Sequence, residues 1–141
     1  MTLAAILGGR KVFAKPPRVA RDWIATVNKG MPVDAALALK SRLAVTDAVF
    51  ARLLGVSEKT LVRARAAGGR LDAVTSDRLL RAARILELAE HVLEAEGRAI
   101  AWLKRGQPGL GGEMPLSYLE TDAGVGEVER LLLRIEHGVY S

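Results

Sequence analysis

Thr46-Asp47-Ala48-Val49-Phe50-Ala51-Arg52-Leu53-Leu54-Gly55-Val56-Ser57-Glu58-Lys59-Thr60-Leu61-Val62-Arg63-Ala64-Arg65 reads as two short helices joined by a sharp turn. Thr46 and Ser57 are both good helix N-caps, because a hydroxyl can accept one of the unpaired backbone N–H groups of a first turn. A small residue is needed where two such helices cross, and Ala51 stands there. Four positions later Gly55 permits the positive φ that the turn requires. Phe50, Leu54, Val56, Leu61 and Ala64 then fall on one inner face. The pattern is that of a helix-turn-helix. A plain helical hairpin using Gly55 as a C-cap would carry the same A-x-x-x-G spacing.

The second helix of this pair presents Glu58, Lys59, Val62 and Arg63 outward, with Thr60 and Arg65 towards its flanks. Its N-terminal end, starting at Ser57, suits a phosphate or a base edge. Lys59 and Arg63 are the best placed for direct contacts, and Arg52 and Arg65 for phosphates. The candidate DNA-binding set is therefore Arg52, Ser57, Lys59, Thr60, Arg63 and Arg65.

Outward from this stretch the chain reads as helical nearly throughout, giving an all-α fold class. Ala, Leu and Arg are plentiful, aromatics are scarce and alternating strand-like runs are missing. Upstream, helices are expected over 17–29, stopped by Gly30, and over 32–43, burying Ala35, Leu39 and Leu43. Downstream, Thr75 or Ser76 is expected to open a long helix reaching about Lys104. Leu79, Leu86, Leu93 and Ile100 recur there every seven residues, as ordinary helix core or a dimer seam. Gly97 within it is expected to mark a close helix crossing. A turn over 106–113, a short helix over 115–119 and a last helix over 126–135 follow.

Composition divides the chain. Residues 1–84 hold 16 Lys/Arg against 6 Asp/Glu, a balance of +10; residues 85–141 hold 5 against 10, a balance of −5. A basic half suits a polyanion such as DNA, and an acidic half suits a basic protein surface. There are no cysteines, so a disulfide framework and a thiolate metal site are both excluded. No apolar run approaches membrane-spanning length and nothing resembles a secretory signal, which points to a soluble cytoplasmic protein without a membrane partner. His91 and His137 belong to no recognisable metal motif, and the glycine pairs at 8–9, 68–69 and 111–112 lack the strand-to-helix setting of a phosphate loop. No nucleophile and base pair up, so the chain is expected to be neither an enzyme nor a cofactor binder.

The last forty residues carry the remaining signal. They run through Trp102-Leu103, Pro108, Leu110-Gly111-Gly112, Pro115-Leu116, Thr121 and Gly124, and close on Arg134-Ile135-Glu136-His137-Gly138-Val139-Tyr140-Ser141. This order and spacing resembles the toxin-binding domain of the Xre/MbcA/ParS-type antitoxins. Gly30-Met31-Pro32, Leu53-Leu54-Gly55-Val56, Gly69-Arg70-Leu71 and Ser76-Asp77-Arg78-Leu79 are similar to the family's recurring elements, so the resemblance spans residues 22–141. Residues 1–21, with Phe13 and Pro16-Pro17, match none of them and leave room for a flexible N-terminal arm. The expected division is that arm, a helix-turn-helix DNA-binding region over 22–74 and a toxin-binding domain over 75–141.

The resemblance implies a type II antitoxin that inhibits a RES-domain toxin, an enzyme that consumes NAD or transfers ADP-ribose. The C-terminal end would sit at the mouth of the toxin's NAD pocket, with Arg134, Glu136, His137, Gly138, Val139, Tyr140 and Ser141 as contacts. Gly138 lets the chain leave the final helix, Tyr140 offers a flat ring with a polar tip, and Glu136 and the Ser141 carboxylate could occupy donors meant for the phosphates. Arg134 and His137 carry a second reading, since basic side chains gather at helix C-termini to complement the dipole. Trp102 is expected in the module's core, and the Leu110-Gly111-Gly112 loop at the interface edge. Operator DNA and a homodimer within a toxin–antitoxin hetero-oligomer complete the expected partners. A stand-alone transcriptional regulator without a toxin, and an antitoxin that does not bind DNA, are the alternatives.

Overall fold

Asp22, just past Pro16-Pro17, decides where the first substantial helix begins. Its carboxylate accepts the backbone N–H groups of Arg18 at 3.0 Å and Val19 at 3.2 Å. These bonds hold Val19 extended, so the helix runs Ala20–Lys29 and not from residue 17 as expected. They also hold the Asp22 carboxyl below its usual range, with Arg21 and Lys15 adding to the effect. The computed structural model describes residues 1–138, and among them every regular element is helical. The chain divides into two compact units, 1–83 and 84–141.

The first unit opens with α1 (Leu3–Ile6), capped by Thr2, and a 3-10 turn (Gly9–Lys11). Then come α2 (Ala20–Lys29), α3 (Val33–Leu43), α4 (Asp47–Leu54) and α5 (Glu58–Ala67). The stretch 1–21, expected as a flexible arm, is folded into this unit. Leu3, Ile6, Leu7 and Phe13 are buried, and the Phe13 ring meets Trp23 edge-on at 6.0 Å. Arg42 on α3 donates to the Ala5 carbonyl at 3.2 Å. Burying Ile6 and Leu7 contributes roughly 3–6 kcal/mol, at about 1.5–3 per side chain, towards holding this stretch against the unit. The sequence pattern missed this because a four-residue helix, Leu3–Ile6, is too short to show a periodicity.

Two of the recurring motifs meet here. The Leu71 N–H donates to the Met31 carbonyl at 2.8 Å and the Val33 N–H to the Gly69 carbonyl at 2.9 Å. Pro32 and Arg70 form an isolated antiparallel bridge, and Arg70 Nη1 donates to the Gly30 carbonyl at 2.9 Å. Gly30 has φ +101°, and a Cβ there would fall on the Leu71 carbonyl oxygen, so only glycine fits. Ser76 closes the staple: its Oγ accepts the buried Met31 N–H at 2.7 Å, across 45 residues of sequence.

Helix α6 (Ala73–Leu93) starts earlier and stops sooner than the sequence suggested. Asp72 is its cap, accepting the Thr75 N–H at 2.7 Å on its side chain, and the Ser76 N–H reaches the Asp72 carbonyl. Hydrogen bonds from Thr75, from its backbone first, hold the Asp72 carboxyl below its usual range. The helix does not reach Lys104. Glu94 adopts φ +68° and Ala95 is extended, so the chain breaks there and α7 (Glu96–Leu103) begins anew. Gly97 marks no close crossing, since a Cβ on it would meet nothing within 4 Å. Along the heptad line Leu79 and Leu86 are fully buried, while Leu93 and Ile100, flanking the break, are half-buried.

In the second unit α7 leads to a 3-10 turn (Pro108–Leu110), α8 (Pro115–Tyr118) and α9 (Asp122–Glu136). Helix α9 starts at Asp122, four residues before expectation, because Thr121 accepts the Gly124 N–H at 3.0 Å. Leu103, Val128 and Leu132 are fully buried, with Leu116, Leu119 and Leu131 close behind. Trp102 joins that core, 6% exposed, as its position implied. No helix among the described residues is long and apolar enough to cross a membrane.

Candidate functional sites

In the first unit, the packing of α4 against α5 is the geometry expected of a helix-turn-helix. Phe50, Ala51, Leu54 and Leu61 are buried at 3% exposure or less, while Val56 and Ala64 are half-buried at the edge of the same face. Gly55 has φ +67° and receives the turn, with the Val56 N–H reaching back to the Ala51 carbonyl at 3.0 Å. Sequence reasoning missed Arg78. Its Nη1 donates to the Leu54 carbonyl at 3.2 Å, capping α4 from α6, and a Cβ at position 55 would collide with the same guanidinium. Its presence in the recurring Ser76-Asp77-Arg78-Leu79 run was the available signal.

The candidate residues separate into two groups. Ser57 Oγ accepts the Thr60 N–H at 3.0 Å and shares a further hydrogen bond with the Thr60 hydroxyl at 2.9 Å. Both hydroxyls are thus engaged in starting α5. Lys59, Arg63 and Arg65 on α5 and Arg52 on α4 are exposed. Lys59, Val62, Arg63 and Ala66 line one solvent face of α5 at i, i+3, i+4 and i+7, and Val62 is 54% exposed in the middle of it. A cationic helix face with an aliphatic centre can meet phosphates at its edges and base edges between them.

In the second unit, three polar contacts shape the module. Gln107 Nε2 donates to the Trp102 and Arg105 carbonyls, both at 3.1 Å, closing the end of α7. The Tyr118 hydroxyl donates to the Leu110 carbonyl at 3.2 Å, tying α8 to the preceding turn. Leu110 itself is buried, while Gly111 and Gly112 take φ +65° and +85° at the surface. Gly124 sits against the end of α8 so closely that a Cβ would land on the Tyr118 carbonyl oxygen. The T-x-x-G spacing therefore encodes a cap and a close approach together.

At the end of α9, Arg134 is half-buried, and its Nε finds no hydrogen-bond partner among the described residues. Glu136 meets His91: its Oε2 lies 2.8 Å from His91 Nε2 on α6. His137 is exposed and terminates the helix, its N–H reaching the Leu133 carbonyl at 3.0 Å. Gly138 follows with φ +74°. Val139, Tyr140 and Ser141 lie outside the described residues. Among those described, no group of three or more His, Asp or Glu side chains could hold a metal ion.

Both halves of this arrangement have counterparts in known proteins. Residues 22–84 match the antitoxin Xre-like helix-turn-helix domain, and residues 88–138 match the antitoxin Xre/MbcA/ParS C-terminal toxin-binding domain. Antitoxin Xre of Yersinia enterocolitica is 32% identical over 117 residues, covering 82% of this chain and 79% of its own. The chain belongs to the Xre antitoxin family. Antitoxin Xre of Photorhabdus laumondii is similar at 30% identity, over 83% of this chain and 80% of its own. The Prs ADP-ribosylating antitoxin of a Sphingobium strain is 26% identical, over 85% of this chain and 81% of its own. As a type II antitoxin the chain is expected to have a toxin partner, and the matched toxin-binding domain coincides with the second compact unit.

Proposed function

We propose that this antitoxin binds and silences a RES-domain toxin that consumes NAD or transfers ADP-ribose. It does so by seating residues 138–141 at the mouth of the toxin's NAD pocket. The observation that carries this reading is the match of residues 88–138 to a toxin-binding domain, ending where α9 gives way to Gly138. A left-handed glycine after the last helical turn redirects the chain away from the helix axis. The Tyr140 ring is suited to an aromatic subsite, and the acidic balance of the module suits a cationic pocket mouth. The protein has no catalytic role in this scheme and works in the cytoplasm as a homodimer within the toxin–antitoxin complex. Its exposed Lys59, Arg63, Arg65 and Arg52 serve operator DNA, which lets the antitoxin repress its own operon.

The test is co-expression with the RES-domain toxin, purification of the complex and measurement of NAD consumption. Removing residues 138–141 should leave a complex that copurifies but regains turnover. A specific interface needs more area than four residues supply, so docking survives, while blocking the pocket requires occupying it. Full inhibition by the truncated antitoxin would place occlusion elsewhere.

A further inference from the structure

His91 has no role in the toxin-binding reading, yet it touches the last residue of α9, from which Gly138 leads away. Its Nε2 lies 2.8 Å from Oε2 of Glu136, the last residue of α9. His137 and then Gly138, in the left-handed region, follow at once. The bonds that close the final turn run from the His137 N–H to the Leu133 carbonyl and from the Gly138 N–H to the Ile135 carbonyl. Leu133 is exposed, Arg134 and Ile135 are only half-buried, and the last fully buried side chain of α9 is Leu132. A helix end with so little buried surface frays, and its final turn samples several directions. A side chain from a second helix that grips the last residue restricts them. His91 is such a side chain.

We infer that His91 is a positioning residue: by holding Glu136 it fixes the direction in which the chain leaves α9 at Gly138. The inference rests on the reading that residues 138–141 occlude the toxin's pocket. Neutral imidazole can donate its Nε2–H to the carboxylate and protonated imidazole adds charge to the same bond, so the grip does not depend on one state. The His91 and Glu136 side chains are 72% and 31% exposed, so the effect is that of a surface pair. Such pairs shift an equilibrium by roughly two- to five-fold. A shift of that size unfolds nothing, but it matters where a few residues must enter a pocket in one orientation.

The experiment has two readouts. In the free antitoxin, site-resolved amide hydrogen exchange is measured for the parent, His91→Ala and His91→Gln. The expected result is exchange at the His137 and Gly138 amides roughly two- to five-fold faster in His91→Ala, with the Val128 and Leu132 amides unchanged. His91→Gln, whose amide can also donate to Glu136, should restore the parent rate. In the complex with the RES-domain toxin, His91→Ala should raise residual NAD turnover at saturating antitoxin while leaving association unchanged. Again His91→Gln should restore inhibition. Unchanged exchange at the two amides overturns the inference outright. If deletion of residues 138–141 relieves inhibition but His91→Ala inhibits like the parent, the positioning role falls and the occlusion reading stands. If that deletion leaves inhibition complete, occlusion itself falls and the inference goes with it.

Discussion

Replacing Ser76 by Ala removes one buried oxygen atom and should destabilise the first unit measurably. Ser76 is fully buried, and its Oγ accepts the N–H of Met31, which is also fully buried, at 2.7 Å. Its contact to the Leu71 carbonyl, at 3.4 Å, is long and adds little. With the hydroxyl gone, the buried Met31 N–H loses the acceptor it has in this fold. A buried donor left unsatisfied costs about 1–3 kcal/mol. Alanine is the better helix former by about 0.5 kcal/mol, which offsets part of that loss. The net expectation is about 1–2 kcal/mol, equivalent to a drop in Tm of roughly 4–16 °C if the unit unfolds on its own. Equilibrium urea unfolding of the full chain, followed by Trp23 and Trp102 fluorescence and by circular dichroism, would measure it. Ser41→Ala on the exposed surface of α3 serves as control and should stay within about 0.5 kcal/mol. A Ser76→Ala change no larger than the control, at unchanged m-value, would refute the claim that this hydroxyl holds the 30–32 and 69–71 segments together.

The double substitution Lys59→Ala with Arg63→Ala should weaken operator binding and leave toxin inhibition intact, because neither side chain contributes to the core. For every phosphate no longer neutralised, the salt dependence of binding should flatten by about 0.9 in slope; unchanged DNA affinity would favour an antitoxin without a DNA role. Asp22 and Asp72 both have carboxyl pKa values lowered from 3.8 by backbone N–H donors. Folded values below the unfolded ones mean that their contribution is complete above about pH 4 and is lost as pH falls through the folded values. Acid titration of stability should therefore show a decline below about pH 4 that is shallower in Asp22→Asn with Asp72→Asn, and an unaltered acid limb would remove these caps from the account.

Much of the molecule was legible from local pattern. Thr46, Gly55 and Ser57 act within three or four residues of themselves, so their capping and turn roles follow from chemistry and spacing alone. The face of α5 was legible for the same reason, since helical periodicity assigns Leu61 inward and Lys59, Val62 and Arg63 outward. Ser57 and Thr60 were harder: a hydroxyl at a helix start suits both a cap and a phosphate, and only coordinates place them 2.9 Å apart. The charge division between the halves, the absence of cysteine and the order of the C-terminal motifs likewise needed no structure.

What only tertiary structure decided are the contacts between residues distant in sequence. Nothing local announces that Gly30 must approach the Leu71 carbonyl, that Ser76 answers the Met31 N–H, or that Arg78 lies over Gly55. The same holds for the contact between His91 and Glu136, 45 positions apart, which neither residue announces in the sequence. The break at Glu94-Ala95 was invisible because neither residue is a helix breaker by propensity. The order of residues 1–21 belongs here too, since Ile6, Leu7 and Phe13 gain their stability from neighbours that sequence spacing does not name. Local chemistry fixes where a helix can start and which face is apolar. Which apolar face meets which, and which polar atom then needs a partner, is settled only when the chain closes on itself.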